Sequence, residues 1–200
     1  IYSAFDLAGA RNASSSPLGL YFKENVDMNG QGKDGKYHVP AEFAQSRCES
    51  EDDNWFKRFY TVRNLDGQNN TIYNLYCHSH AVSDGSYVAA FIYTAQKGYD
   101  TVHKNLNFRN CCSVAPVVKG SNEDLSYGAI FIQHAGSDSA GSPRYTMENI
   151  HIYDSKVFAL QHSGILAGLL YNANAYNCSV NNCHIENYIC TQTKEPFVKE

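Results

Sequence analysis

The sequence predicts an all-β fold: a right-handed parallel β-helix (β-solenoid) with a short N-terminal capping helix. Three observations predict it. Two strand types alternate along the chain with a period of roughly thirty residues. In one, Asn accompanies an aliphatic-alternating stretch: Thr71-Ile72-Tyr73-Asn74-Leu75-Tyr76, Lys104-Asn105-Leu106-Asn107-Phe108, Glu148-Asn149-Ile150-His151-Ile152 and Cys178-Ser179-Val180-Asn181. The other is apolar and rich in small residues: Ala89-Ala90-Phe91-Ile92, Gly128-Ala129-Ile130-Phe131-Ile132 and Gly164-Ile165-Leu166-Ala167-Gly168-Leu169-Leu170. From Thr71 onward no helical segment interrupts them. Units this short cannot bury an apolar face alone, so repetition implies stacking.

Within a single domain spanning 1–200, residues 1–30 read as cap and first rung. Ser3 is a plausible N-cap for a helix running to Asn12, with Phe5, Leu7 and Ala8 as its apolar residues. A solenoid's open first rung needs such cover. Leu20-Tyr21-Phe22-Lys23 follows as a strand. Residues 31–58 are a polar insert, closed by Trp55 and Phe56 as anchors. Its acidic cluster, Glu49, Glu51, Asp52 and Asp53, offers hard oxygen ligands for a cation, but without an EF-hand spacing it reads as a solvated loop. Rungs occupy 59–190. Asp66-Gly67 is expected to form a tight turn between two strands. Lys119 to Ser126 and Gly136 to Arg144 are expected to protrude as loops. A polar tail occupies 191–200. The chain begins at Ile1 with no Met and no signal-peptide core, which reads as a processed protein or an excised part of a longer one.

Composition narrows the function classes. The net charge of −4 comes without any basic stripe, which argues against nucleic acid. No apolar run approaches the ~20 residues of a membrane span. Fifteen tyrosines suit strand faces, where the ring is buried and the hydroxyl wet. Seven cysteines leave an odd one. They fit buried free thiols, or one or two bridges among Cys178, Cys183 and Cys190; adjacent Cys111 and Cys112 point to opposite sides of a strand. Asn tolerates the left-handed backbone, so Asn74, Asn105, Asn149 and Asn177 are expected at turns, where their amides can stack as a ladder.

The residues from Val26-Asp27-Met28-Asn29-Gly30 to Leu65-Asp66-Gly67-Gln68-Asn69-Asn70-Thr71-Ile72-Tyr73-Asn74-Leu75 resemble bacterial surface β-helix proteins with GLUG-type repeats. In those proteins a "DIDLNG"-like strand leads to a "DGNGHTIxNL"-like one. Gly164-Ile165-Leu166-Ala167-Gly168-Leu169 resembles the "GGLVG" strand that names the repeat. Asn69-Asn70 departs from the usual Gly-His. The resemblance covers most of the chain to about residue 190. It implies an extracellular or cell-surface scaffold of adhesin type and brings no catalytic residues.

Chemistry is sparse. Glu148, Asp154 and Glu186 are the acids on or near strands; Glu148 and Asp154, an even number apart, would share a face of an unbroken strand. Arg109 and Arg144 are available as bases for a lyase, without a matching acidic cluster. His78 and His80 share a strand face; His134, His151, His162 and His184 are scattered, and stacking can bring His151 to His184. Ser163-Gly164 is no nucleophile elbow. Three glycosylation sequons occur, at Asn12, Asn69 and Asn177. The sequence therefore calls for no catalytic residue, metal or cofactor. Its core is expected from inward stacks of Leu75, Phe91, Leu106, Ile130, Ile132, Ile150, Ile152, Ile165, Leu169 and Val180. The expected function is a non-catalytic recognition or adhesion scaffold that binds glycan or a host or neighbouring-cell surface protein through Tyr-bearing faces and the two inserts. A polysaccharide lyase or glycoside hydrolase is one alternative. A structural subunit that self-associates through its solenoid ends into a fibre is the other.

Overall fold

The computed structural model describes residues 1–28, 56, 58–78, 80–81, 87–95, 100–115, 117–118, 126–136, 144–159, 161–186, 188–190 and 198–199. The acidic cluster, Trp55, Cys48, residues 119–125 and 137–143 of the two inserts, and most of the polar tail lie outside these residues.

Helix α1 (Ala4–Ala13) opens where the sequence places it. The Ser3 hydroxyl accepts from the Asp6 N–H, and the Asp6 carboxylate accepts from the Tyr2 N–H, so two orphan donors are satisfied reciprocally. The helix buries Ala4 and Leu7, which join Leu20 and Phe22 in the core. No described helix is long and apolar enough to cross a membrane.

The rest is strand, and the pairing is almost wholly parallel. A first sheet stacks β1 (Gly19–Tyr21) and β2 (Val26–Asp27) on β3 (Asn64–Tyr73), followed by β8 (Thr101–Arg109) and β13 (Tyr145–Tyr153). It ends with β17 (Ala173–Tyr176) and β18 (Ser179–Asn181). A second stacks β4 (Tyr76–His78), β9 (Cys112–Ala115), β14 (Lys156–Ala159) and β19 (His184–Glu186). A third stacks β6 (Tyr87–Ala89), β11 (Ser126–Ala129) and β15 (Gln161–Gly164), with β5 (His80–Ala81) antiparallel on β6. A fourth stacks β7 (Ile92–Thr94), β12 (Ile132–Gly136) and β16 (Ala167–Tyr171). A small separate sheet joins β10 (Val117–Val118), β20 (Tyr188–Cys190) and β21 (Val198–Lys199). The chain visits the four main sheets in the same order three times. Register partners are Leu65, His103, Met147 and Ala175, so successive offsets are 103 − 65 = 38, 147 − 103 = 44 and 175 − 147 = 28 residues.

Apolar residues stack in register across coils. Val26, Ile72, Phe108 and Ile152 form one fully buried column. Phe91 is an aromatic hub: its ring lies 5.5 Å from Phe59 and from Phe108, and 5.7 Å from Phe56. Each such pair adds about 0.5–1.5 kcal/mol beyond burial. Phe56 thus anchors the end of the insert. Of the expected core, eight residues from Leu75 to Ile165 are buried. Leu169 is half-buried, and Val180 is 45 % exposed. Val180 continues the column in register with Ile152, but no described strand stacks on the far side of β18.

The expected turn at Asp66-Gly67 is not one. Both residues lie inside β3, whose register shifts between Asp66 and Asn70. Gly67 is required by close approach: a Cβ there would sit 2.2 Å from the Asn105 carbonyl of the next coil. The left-handed residues are instead Gln68 and Asn69.

The Asn ladder exists, but as two columns. Asn69, Asn105, Asn149 and Asn177 have φ of 48–63°, and so do Asn74, Asn110, Asp154 and Asn182, each five residues later. Asn74 therefore does not stack with Asn105. In the first column Asn177 donates to Asn149, Asn149 to Asn105, and Asn105 to Asp66, at 2.7, 2.9 and 3.1 Å. In the second, Asn110 donates to Asn74 and Asn74 to Asp27, at 2.6 and 2.8 Å. Asn182 donates to Asp154 at 2.7 Å. Asp154, an acceptor in its ionised form, has no amide hydrogen to pass on to Asn110. Burial raises the Asp66 carboxyl, but the Gln68 N–H, the Asn105 amide and Lys104 outweigh it and hold it below the ordinary Asp value.

Cys77, Cys111, Cys112, Cys178 and Cys183 are free thiols, so Cys178 and Cys183 are not bridged to each other. Burial pushes the Cys111 thiol up to about 12.

Candidate functional site

Among the described residues, polar and aromatic chemistry converges beside the third and fourth sheets. Five rings form a continuous strip. Tyr60 lies 5.4 Å from Tyr93, Tyr93 5.3 Å from His134, His134 6.0 Å from Tyr127, and Tyr127 5.1 Å from His162, between centroids. Stacking builds it: Phe59 bridges Ile92, which sets Tyr60 beside Tyr93, and Ile92 in turn pairs with Ile132, two residues before His134. Tyr60 and His162 at its ends are exposed; the three middle rings are half-buried.

Gln133 lies under the strip, fully buried. Its amide nitrogen donates to the His162 carbonyl at 3.1 Å. Gly168 on the next coil makes room for it, since a Cβ there would be 2.3 Å from Gln133 Nε2. Gln133 Oε1 and His134 Nε2 are buried and have no hydrogen-bond partner among the described residues. A buried polar atom left unpaired costs about 1–3 kcal/mol, so each invites a ligand hydroxyl or a water. Burial lowers the His134 pKa and the neighbouring His162 pushes it the same way, favouring neutral imidazole.

Arg58 flanks the strip beside its second ring. Its guanidinium lies over Tyr93, 5.7 Å from the ring centroid, and donates to the Val88 carbonyl at 3.2 Å. The Arg11 side chain donates to the Arg58 carbonyl, tying α1 to this corner. Burial lowers the Arg58 pKa, opposed by Tyr93, while Arg11 adds to the lowering.

The other residues singled out in the sequence lie elsewhere. His151 bonds Ser179 at 2.9 Å on the first sheet, and His184 contacts Glu186 at 3.3 Å on the second, so stacking does not join them. Glu148 and Asp154 do not share an unbroken strand face, because Asn149 between them is left-handed. Asp154 sits 4.0 Å from Arg109, whose guanidinium lies 5.0 Å over Tyr153. The Arg144 N–H donates to Asp100, and Ser163 bonds the Ala159 and Gln161 carbonyls. The side chains of His78 and His80 lie outside the described residues. No group of three or more His, Cys, Asp or Glu is placed to hold a metal among the described residues. Asn177 of the third sequon is engaged in the ladder.

The strip was only partly legible. His134 and His162 stand out as histidines, but Arg58, Tyr93, Tyr127 and Gln133 carry no local motif; only a coil-by-coil register aligns them. No protein-family model, curated protein or solved structure matches the chain.

Proposed function

We propose that this chain is a right-handed parallel β-helix serving as a non-catalytic, extracellular recognition scaffold, and that it binds glycan along the Tyr60–His162 strip. The strip carries the reading. Its rings offer flat apolar faces for the C–H surface of a sugar and polar edges for hydroxyls, and they sit on stacked strands that hold them without reorganisation. The handedness is supported by the parallel coil-on-coil register and by the strong preference of parallel crossovers for the right hand. The resemblance of Asp66 to Leu75 to GLUG-type surface proteins supports the cell-surface setting. An NMR titration with neutral and acidic oligosaccharides tests it: shifts confined to the strip are expected. Shifts elsewhere, or none with any glycan, would overturn it, and a surface protein captured at the strip would move the reading to protein recognition.

One observation favours a second reading, self-association. Val180 and Ile185 at the C-terminal coil are 45 % and 44 % exposed, and β18 and β19 have no described strand beyond them. Concentration-dependent growth in light scattering would support it; a constant mass of one chain would exclude it.

A further inference from the structure

We infer that the strip's ligand is an acidic glycan, and that Arg58 receives its carboxylate or sulfate. This rests on the proposal that the strip holds a glycan and adds the ligand's charge. The Arg58 guanidinium stands over Tyr93, the second ring from the Tyr60 end of the series. Its one hydrogen bond among the described residues runs to a neutral carbonyl, of Val88. No carboxylate among the described residues lies within ion-pair distance of it. Its electrostatic neighbour among the described charged groups is another cation, Arg11, so no described carboxylate balances its charge. A half-buried cation with no counter-ion among the described residues is a costly arrangement, and a carbonyl tie can be made by a neutral donor.

The surroundings agree. The chain as a whole is acidic, at net −4, yet no Asp or Glu belongs to the strip, whose titratable members are Arg58, tyrosines and two histidines. A planar guanidinium fork matches a carboxylate or sulfate with two parallel hydrogen bonds while its face stays on the Tyr93 ring. Further along, the exposed Tyr60 and His162 rings offer polar edges to hydroxyls, whereas Gln133 Oε1 and His134 Nε2 lie beneath the surface. The ligand so described has an acidic group at one end and a hydroxylated ring beside it.

A second Tyr–Arg pairing among the described residues lacks this character. Arg109 over Tyr153 already has Asp154 beside it.

The test is calorimetry on the full chain with four probes in two matched pairs: a uronate oligosaccharide and its carboxyl-reduced form, and a sulfated neutral oligosaccharide and its desulfated form. Binding of the uronate or the sulfated probe, weakened at least about tenfold on carboxyl reduction or desulfation and in Arg58→Gln, is expected. Which of the two binds tells carboxylate from sulfate. Arg58→Lys, which keeps the charge but not the fork, is expected to retain part of the affinity, and Tyr153→Ala all of it. Should Arg58→Gln shift the melting temperature, Tyr60→Ala at the exposed end of the strip supplies the loss instead. Equal affinity for acidic and neutral forms, with Arg58→Gln unaffected, overturns the inference and leaves glycan recognition standing. Absence of binding by all four probes overturns both.

Discussion

Protonation of one buried imidazole should limit stability on the acid side. His103 is fully buried between Phe131 and Tyr145, with ring centroids at 5.7 and 5.2 Å. Its Nε2 lies 2.7 Å from the Val62 carbonyl, which can only accept, so Nε2 carries the hydrogen. Nδ1 then accepts from the Tyr145 hydroxyl at 2.8 Å. Burial drives the His103 pKa down to about 4 despite the Val62 bond, which favours the cation. The unfolded chain takes up its proton near 6.5 and the folded chain near 4. Above 6.5 neither state is protonated and the residue adds no pH dependence. Between 6.5 and about 4 the unfolded chain binds more protons, so stability falls as pH falls. At about 1.4 kcal/mol per pH unit the loss totals ~3 kcal/mol. Urea unfolding from pH 7.5 to 4 should show it, by comparison with His103→Leu/Tyr145→Phe, which keeps the shape and removes the titration. Other titrating groups, such as His134 and Asp66, act in both proteins and cancel. Parallel pH profiles for the two proteins, or an NMR titration placing His103 near 6.5, would refute the argument.

Asp154→Asn restores the missing amide hydrogen between Asn110 and Asn182 and should raise stability by about 0.5–1 kcal/mol, read as a higher urea midpoint at unchanged slope. Asn110→Ala, which breaks the same column and removes the side-chain amide that lets Asn tolerate the left-handed region, should cost about 1–2 kcal/mol by the same assay. Gly67→Ala drives a methyl into the Asn105 backbone and should cost about 3 kcal/mol or more; an unchanged melting temperature would mean that the coils are not in contact there. Alkylation mapped by mass spectrometry should label Cys178 and Cys183 in the native protein and reach Cys77, Cys111 and Cys112 only after denaturant, because those three are buried and burial raises their pKa values.

The all-β, parallel character was legible because the apolar runs alternate and Asn recurs beside them. Register was not. It depends on coil lengths, and offsets of 38, 44 and 28 residues hide a stack whose regular signal is the five-residue step from Asn105 to Asn110 or Asn177 to Asn182. Reading intervals between single Asn residues joined Asn74 to Asn105, which belong to different columns. Val180 looked like core because its residue type and register are those of Ile152; nothing in a sequence tells a covered strand from one on which no described strand stacks. His103 passed unnoticed for the opposite reason. A histidine in an alternating strand resembles a wet face until Tyr145, 42 residues later, is found to supply its hydrogen bond.

The two amide columns give the stack a direction. Every bonded Asn of the two columns donates toward the N-terminal side, and each unbroken run finishes on a carboxylate, Asp66, Asp27 or Asp154. A carboxylate accepts without needing to donate, so it terminates the relay there as a chemical full stop. At the other side the last members, Asn177 and Asn182, present carbonyl oxygens that ask for one more donor. Coils added at that side would extend the relay without changing its grammar, whereas additions at the side of Asp27 and α1 would have to reverse it.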